Sequence, residues 1–224
     1  MMEGLWDKAA RKELQQLLGH TQKLYQELLN WEEREKNKDL KKIFHIQQVI
    51  RELEERRKCF EIKGYVPKMK PVCEGLKPQG KKEISGASEE GEGILEFLRN
   101  HQGKLCWQYG YENLPRALEK DFAFGEVLGA EAPILPKKIT LGFVLLSPST
   151  DYPKHVHEGV DELYINLGGP CEINGVTVPK GESYHVISGK PHAIQASKEA
   201  MGILLYTWTF PSGTPEKYEM RFVE

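Results

Sequence analysis

His155 and His157, followed by Glu162, Tyr164 and a more distant His192, are the residues of this chain best suited to chemistry. On a β-strand, side chains two residues apart share a face. His155 and His157 therefore point the same way, as do Glu162 and Tyr164. Three imidazoles and one carboxylate form a donor set for one divalent transition metal per chain, with coordination positions left for a substrate. Zinc, iron, manganese, nickel and cobalt all suit such a set. Tyr164 then stands beside the metal as a candidate acid or base. A lone His-x-His pair is a weak signal, because such pairs also occur on solvated strand faces. Here four of the seven histidines, His155, His157, His185 and His192, fall close together, which favours a metal-binding site.

These residues need strands to carry them, and beyond Gly125 the chain runs in short apolar and β-branched stretches. Thr140 to Leu146, Leu163 to Leu167, Val176 to Val178, Tyr184 to Ile187 and Ile203 to Phe210 read as strands. Turns at Gly168-Gly169-Pro170, Asn174-Gly175 and Pro179-Lys180-Gly181 divide them. Short strands at such intervals predict a double-sheet barrel of the jelly-roll type, whose interior can hold a ligand. Between Glu162 and Asn166 one face is polar, with Glu162, Tyr164 and Asn166, and the other is apolar. The polar face must line a cavity or meet solvent, and the histidines favour the cavity.

The first sixty residues have a helical period instead. Leu14, Leu18, Thr21, Tyr25 and Leu28 make one apolar stripe; Ile43, Ile46, Ile50 and Leu53 make a second. A charged break from Glu32 to Lys38 separates them, with Asn37 or Asp39 able to cap the second helix. An antiparallel helical hairpin over residues 1–63 is expected. Each stripe is too narrow for a core of its own, so the hairpin must bury against the rest of the chain or a second copy. It reads as a brace or dimerisation element, and a homodimer is the expected assembly. Residues 64–93, rich in Pro, Gly, Lys and Glu, read as an extended or mobile linker. A short helix from Ile94 to Asn100 opens the catalytic region, residues 94–224.

Net charge is −2, so electrostatics give no reason to expect nucleic acid or an anionic membrane. The basic cluster Arg56-Arg57-Lys58 is offset by Glu52, Glu54 and Glu55. Met1 to Asp7 does not resemble a signal peptide, and no apolar run is long enough to span a bilayer. Cys59, Cys73, Cys106 and Cys171 form no Cys-x-x-Cys pair and read as thiols in a reducing compartment. A soluble cytoplasmic protein is expected, with 39% hydrophobic residues to build a core.

The pattern His155-x-His157, four residues, Glu162, six residues, Gly169 resembles the first motif of the cupin superfamily. Gly181 to His192 resembles the second, with Ile187 and Ala196 where Pro and Asn are usual. That resemblance implies a mainly β fold, a C-terminal double-stranded β-helix (the cupin barrel) behind the N-terminal helices. Leu141 to His157, Asp161-Glu-Leu-Tyr164, Lys190-Pro-His-Ala193 and Leu204 to Trp208 are similar, more narrowly, to the cupin-type dimethylsulfoniopropionate (DMSP) lyases. The likeness covers about Leu95 to Phe210. Those lyases usually place three residues between the second histidine and the glutamate; this chain has four, Glu158 to Asp161, a spacing that the wider cupin pattern accommodates. The resemblance implies that His155, His157, Glu162 and His192 bind the metal, that Tyr164 is the base, and that the substrate is small and anionic or zwitterionic. Eliminating dimethyl sulfide requires loss of a proton α to a carboxylate. A free tyrosine titrates near ~10, and a nearby dication lowers that value. Tyr152, Trp107, Tyr206 and Trp208 are candidates to cradle a sulfonium by cation–π attraction, and Tyr152 is the alternative catalytic residue. His185 reads as a pocket-lining residue that contacts substrate. Two other classes stay open: another metal-dependent cupin enzyme, such as an isomerase or dioxygenase, and a small-molecule-binding cupin without activity.

Overall fold

The structure is a computed structural model, and it describes residues 5–76, 87–111, 113–211 and 219–223. Three α-helices come first: α1 (Lys8–Glu32), α2 (Leu40–Lys58) and α3 (Glu89–His101). Each begins at an oxygen-bearing cap, as helix starts require. Asp7 accepts from the Ala10 N–H, Asp39 from those of Lys41 and Lys42, and Ser88 from that of Gly91. The last of these caps starts α3 at Glu89, ahead of the Ile94 expected from its apolar residues.

The strands follow: β1 (Trp107–Gln108), β2 (Phe122–Leu128), β3 (Ile139–Leu146), β4 (Asp151–Glu158), β5 (Asp161–Asn166), β6 (Cys171–Ile173), β7 (Val176–Val178), β8 (Ser183–Val186), β9 (His192–Ala196), β10 (Gly202–Thr209) and β11 (Glu219–Phe222). One antiparallel sheet has the order β1-β2-β3-β10-β5-β8 and the other β11-β4-β9-β6-β7. Their inner faces share one apolar cluster, which includes Val144 and Leu204 from the first sheet and Ile173 and Ile194 from the second.

A second cluster lies on the outer side of the six-stranded sheet, where the helices cover it. The two-residue period of a strand divides the side chains between them. On β10, Ile203 and Leu205 face the helices, while Leu204, Tyr206 and Trp208 face inward. On β5, Leu163 and Ile165 face outward and Tyr164 inward. A sheet covered on both faces has buried strands throughout, and every residue of β2, β3 and β10 is buried. The helical hairpin finds its burial partner here: Leu14, Leu18 and Tyr25 of α1 and Ile46 and Leu53 of α2 join the outer cluster. Covering a Leu- or Ile-sized side chain is worth ~1.5–3 kcal/mol, so the helices contribute a large part of what holds the sheet.

The stretch expected to be a linker contributes to the same cluster. Tyr65, Val72, Cys73 and Leu76 are buried there, the last three on a 3₁₀ turn at Pro71–Leu76. Its apolar residues, sparse among Pro and Gly, outweigh its linker-like composition. Residues 77–86, with Pro78, Gly80 and Gly86, lie outside the described residues. The four cysteines are free thiols. Among the described residues no helix is long and apolar enough to cross a membrane.

Candidate metal centre

The two sheets bring their chemistry together inside the barrel. His155 and His157 come from β4 and His192 from the first position of β9, directly opposite His155 in the β4–β9 register. One ligand atom from each of the three histidines lies within 4.8 Å of the others, and all three side chains are buried. Glu162 reaches in from the facing sheet: its Oε2 lies 3.4 Å from His157 Nε2 and 3.3 Å from His192 Nε2. The link between β4 and β5 turns at Gly159, whose φ of +85° is a conformation other residues rarely take, and so accommodates four residues between His157 and Glu162.

The donor atoms are poised for a cation. Pro153 O accepts a hydrogen bond from His155 Nδ1 at 2.9 Å. A carbonyl can only accept, so His155 keeps its lone pair on Nε2, and such outer contacts are how ligating histidines are usually oriented. His155 Nε2, His157 Nε2 and Glu162 Oε2 are buried with no hydrogen-bond partner. Orphaned buried polar atoms are costly in a protein interior, and a metal ion would satisfy all three. Burial pushes the His155 imidazole well below its ordinary pKa, helped by His192 and His157, and burial also lowers that of His157. For Glu162 burial acts upward, but His157, His192 and the Trp208 N–H outweigh it and hold the carboxyl at about 2. Uncharged imidazoles beside an ionised carboxylate are what a divalent ion requires.

The Tyr164 hydroxyl lies 3.1 Å from His192 Nε2, inside the barrel as its shared face with Glu162 predicts. Burial pushes its phenol well above the ordinary value, and the Glu162 charge adds to this. Tyr152 stands three residues before His155, a spacing that would put the two on opposite faces of a regular strand. The β4–β9 register is irregular between Tyr152 and His155, and this bulge turns both inward. Their rings stack with centroids 4.2 Å apart.

Trp208 and Tyr206 also face inward, opposite Glu162 and Tyr164 in the β10–β5 register. Beyond offering an aromatic face, the Trp208 indole donates from Nε1 to Glu162 Oε1 at 2.7 Å. Its more direct contact is thus with a candidate ligand. Two expected substrate contacts fall elsewhere. Trp107 packs in the outer cluster, against Gly125, and its indole donates to Gln102 O. His185 pairs with Leu163 across β5 and β8 and shares its outward face, where its ring meets His45 at 5.3 Å. Both are therefore separated from the centre by the sheet itself.

The structure adds two aromatic residues that sequence reasoning did not assign to the site. Tyr111 and Phe222 stack 4.2 Å apart; Tyr111 hydrogen-bonds Tyr152 and presents its edge to His155. Phe222 arrives on β11, which pairs with β4 so that Phe222 lies opposite His155 and Met220 opposite His157. Neither had a spacing that would mark it, since one lies in a loop and the other on the last strand.

A barrel of this topology with an inward-facing histidine cluster is the cupin architecture. The sequence profile of the dimethylsulfoniopropionate lyase family matches residues 43–202, most of the chain. The chain belongs to that family. A curated relative from Cereibacter sphaeroides, "Putative dimethylsulfoniopropionate lyase DddL", is 36% identical over 146 residues. That alignment takes in 64% of this chain and 61% of the relative's length. A chain from the crystal structures of the DMSP lyases RdDddP and RnDddQII superposes with a TM-score of 0.68 at 15% identity, covering 96% of this chain and 99% of its own. The DMSP lyase DddQ from Ruegeria pomeroyi DSS-3 gives 0.60 at 15% identity, covering 72% and 82%. At such identities these two likenesses speak for the fold.

Proposed function

We propose that this protein is a metal-dependent carbon–sulfur lyase that splits dimethylsulfoniopropionate, or a closely similar β-substituted carboxylate, into dimethyl sulfide and acrylate. The observation that carries the reading is the convergence of three buried imidazoles, one ionised carboxylate and the Tyr164 hydroxyl on a single point between the sheets. Family membership and the relatives' names supply the substrate class.

His155, His157 and His192 with Glu162 would hold one divalent transition metal, zinc, iron, manganese, nickel and cobalt all being compatible. Such an ion, when bound, supplies Lewis acidity to a substrate carboxylate and favours phenolate over phenol at a neighbouring tyrosine. Tyr164, as phenolate, takes the proton from the carbon α to the carboxylate. The C–H electron pair becomes the new C=C bond, and the C–S pair leaves with sulfur. Neutral dimethyl sulfide and acrylate result, and the proton rests on the Tyr164 oxygen. Tyr206 and Trp208, joined by Tyr111 and Phe222, offer ring faces to the sulfonium, whereas the faces of Tyr152 are covered by His155 and Phe122. Tyr152 is next in line as base, although Tyr111 beside it and its own burial keep its phenol protonated. An aromatic lining suits a sulfonium better than the polyol of a sugar isomerase.

The test is headspace detection of dimethyl sulfide from purified, metal-loaded protein given DMSP, run beside Tyr164→Phe. The variant keeps the ring and loses the proton acceptor, so kcat should drop ~10²–10⁴-fold, the usual worth of a positioned base. Metal content should stay unchanged. A loaded wild-type protein that releases no dimethyl sulfide refutes the assignment. Near-normal turnover in Tyr164→Phe passes the base role to Tyr152.

A further inference from the structure

The outer face of β10 carries hydroxyls in a cluster that is otherwise largely hydrocarbon. Thr207 and Thr209 are 0% and 3% exposed, and they flank the inward-facing Trp208 in sequence. One imidazole spans both. His45 of α2, 1% exposed, places Nε2 2.8 Å from Thr207 Oγ1 and Nδ1 3.0 Å from Thr209 Oγ1. Tyr25 of α1 adds a contact of 2.7 Å from its hydroxyl to Thr207 Oγ1. The His185 ring packs edge-on against His45.

Burial holds His45 well below its ordinary pKa, so the ring is neutral. A neutral imidazole donates from one nitrogen and accepts at the other, and both are engaged here. Valines at 207 and 209 facing an apolar residue at 45 would fill this space without burying any polar group. Buried polar networks carry a desolvation cost that apolar packing avoids, and what they add is a defined geometry. The geometry defined here is that of one strand segment, Thr207 to Thr209, whose middle residue holds Glu162.

We propose that His45 is a positioning residue for the metal centre. It fixes β10 at the two residues beside Trp208, and so fixes where the Trp208 N–H meets Glu162 Oε1 on the other side of the sheet. The inference rests on the metal-centre reading above. Apolar contacts between helix and strand permit small slides along the strand, whereas a planar ring bonded at both nitrogens does not. Trp208 stands opposite Glu162 in the β10–β5 register, so the path from His45 to the candidate ligand runs through one strand segment and one hydrogen bond.

The experiment titrates cobalt(II) into the metal-free full chain and reads the dissociation constant and the visible d–d bands, with the melting temperature of the metal-free protein alongside. Wild type must take up about one cobalt per chain, as one set of four donors requires; no uptake overturns the metal reading and this inference together. Outer contacts to ligating groups are typically worth ~10–100-fold in affinity. His45→Phe should weaken cobalt by that factor and shift the bands. His45→Gln, which can place an amide nitrogen near the Nε2 position, should recover part of the loss. Thr209→Val removes one of the two contacts and should give a smaller loss, and it carries the test if His45→Phe does not fold. Wild-type affinity and bands in the folded His45→Phe protein, or in Thr209→Val, overturn the proposal. So does a lowered melting temperature with unchanged affinity and bands, which would make the clamp purely structural.

Discussion

Replacing Trp208 with Phe isolates the worth of one hydrogen bond at the centre. The change keeps an aromatic side chain between Tyr206 and His157, whose rings lie 5.2 and 5.3 Å from the indole, and deletes the N–H that meets Glu162 Oε1 at 2.7 Å. A hydrogen bond to an ionised acceptor contributes ~1.5–3 kcal/mol. At about 1.36 kcal/mol per unit, its loss raises the Glu162 pKa by roughly one to two units. From about 2, a rise of that size leaves the carboxyl ionised at neutral pH. The same energy, read as metal affinity, is a loss of roughly 10–100-fold. A carboxyl so shifted is still ionised at both about pH 7 and about pH 5, so the deficit should be nearly the same at the two pH values, because metal uptake needs the deprotonated ligand and the variant still supplies it. The assay is a competitive chelator titration at both pH values, with the metal-free melting temperature as control. The smaller ring will itself cost a few kcal/mol of packing. Unchanged metal affinity at both pH values in a folded Trp208→Phe protein would refute the reasoning.

The remaining expectations are simpler. His157→Ala and His192→Ala should each strip most of the bound metal and abolish its effect on the melting temperature, since binding to the folded state alone stabilises that state; elemental analysis showing full occupancy in both would remove these residues from the cage. Burial raises the carboxyl of Glu126 to about 7 from an ordinary 4.5, against the pull of the Glu131 and Ala130 backbone N–H groups. A raised folded-state pKa contributes stability that is complete below 4.5 and is lost as pH climbs through 7, amounting to ~3 kcal/mol at most. Glu126→Gln should flatten that slope, and denaturant melts across this pH range that match wild type would contradict it.

The donor set was legible because its signal is local. His155 and His157 share a face by strand period alone, Glu162 and Tyr164 do the same, and the histidines crowd into one part of the chain. The run from Thr140 to Leu146 likewise marked a strand. What stayed hidden depends on long-range pairing. Nothing in Tyr152-Pro153-Lys154-His155 announces the bulge that turns Tyr152 inward. The facing of His185 and Trp107 follows from their pairing with Leu163 and Gly125, which no local pattern specifies. Trp208 could be noticed as an aromatic residue but not as the donor to Glu162, because the two are 46 residues apart. The hairpin's apolar stripes were visible, but the surface they cover became visible only with the sheet assembled.

The unequal covering of the two sheets sets how freely each can change. Along β10 successive side chains answer in turn to the helices behind and the barrel in front, so no position on the strand is left to solvent. The five-stranded sheet, which carries the histidines, turns Asp151, Lys154, Glu172, Gln195, Glu219 and Arg221 to its exposed outer face. Sequence drift is therefore channelled to the outside of the histidine-bearing wall and the loops around it. The wall that carries Glu162 and Tyr164 is the more tightly bound of the two. New substrate preferences, in a scaffold of this kind, are most cheaply reached by altering the rim and leaving the helix-backed wall alone.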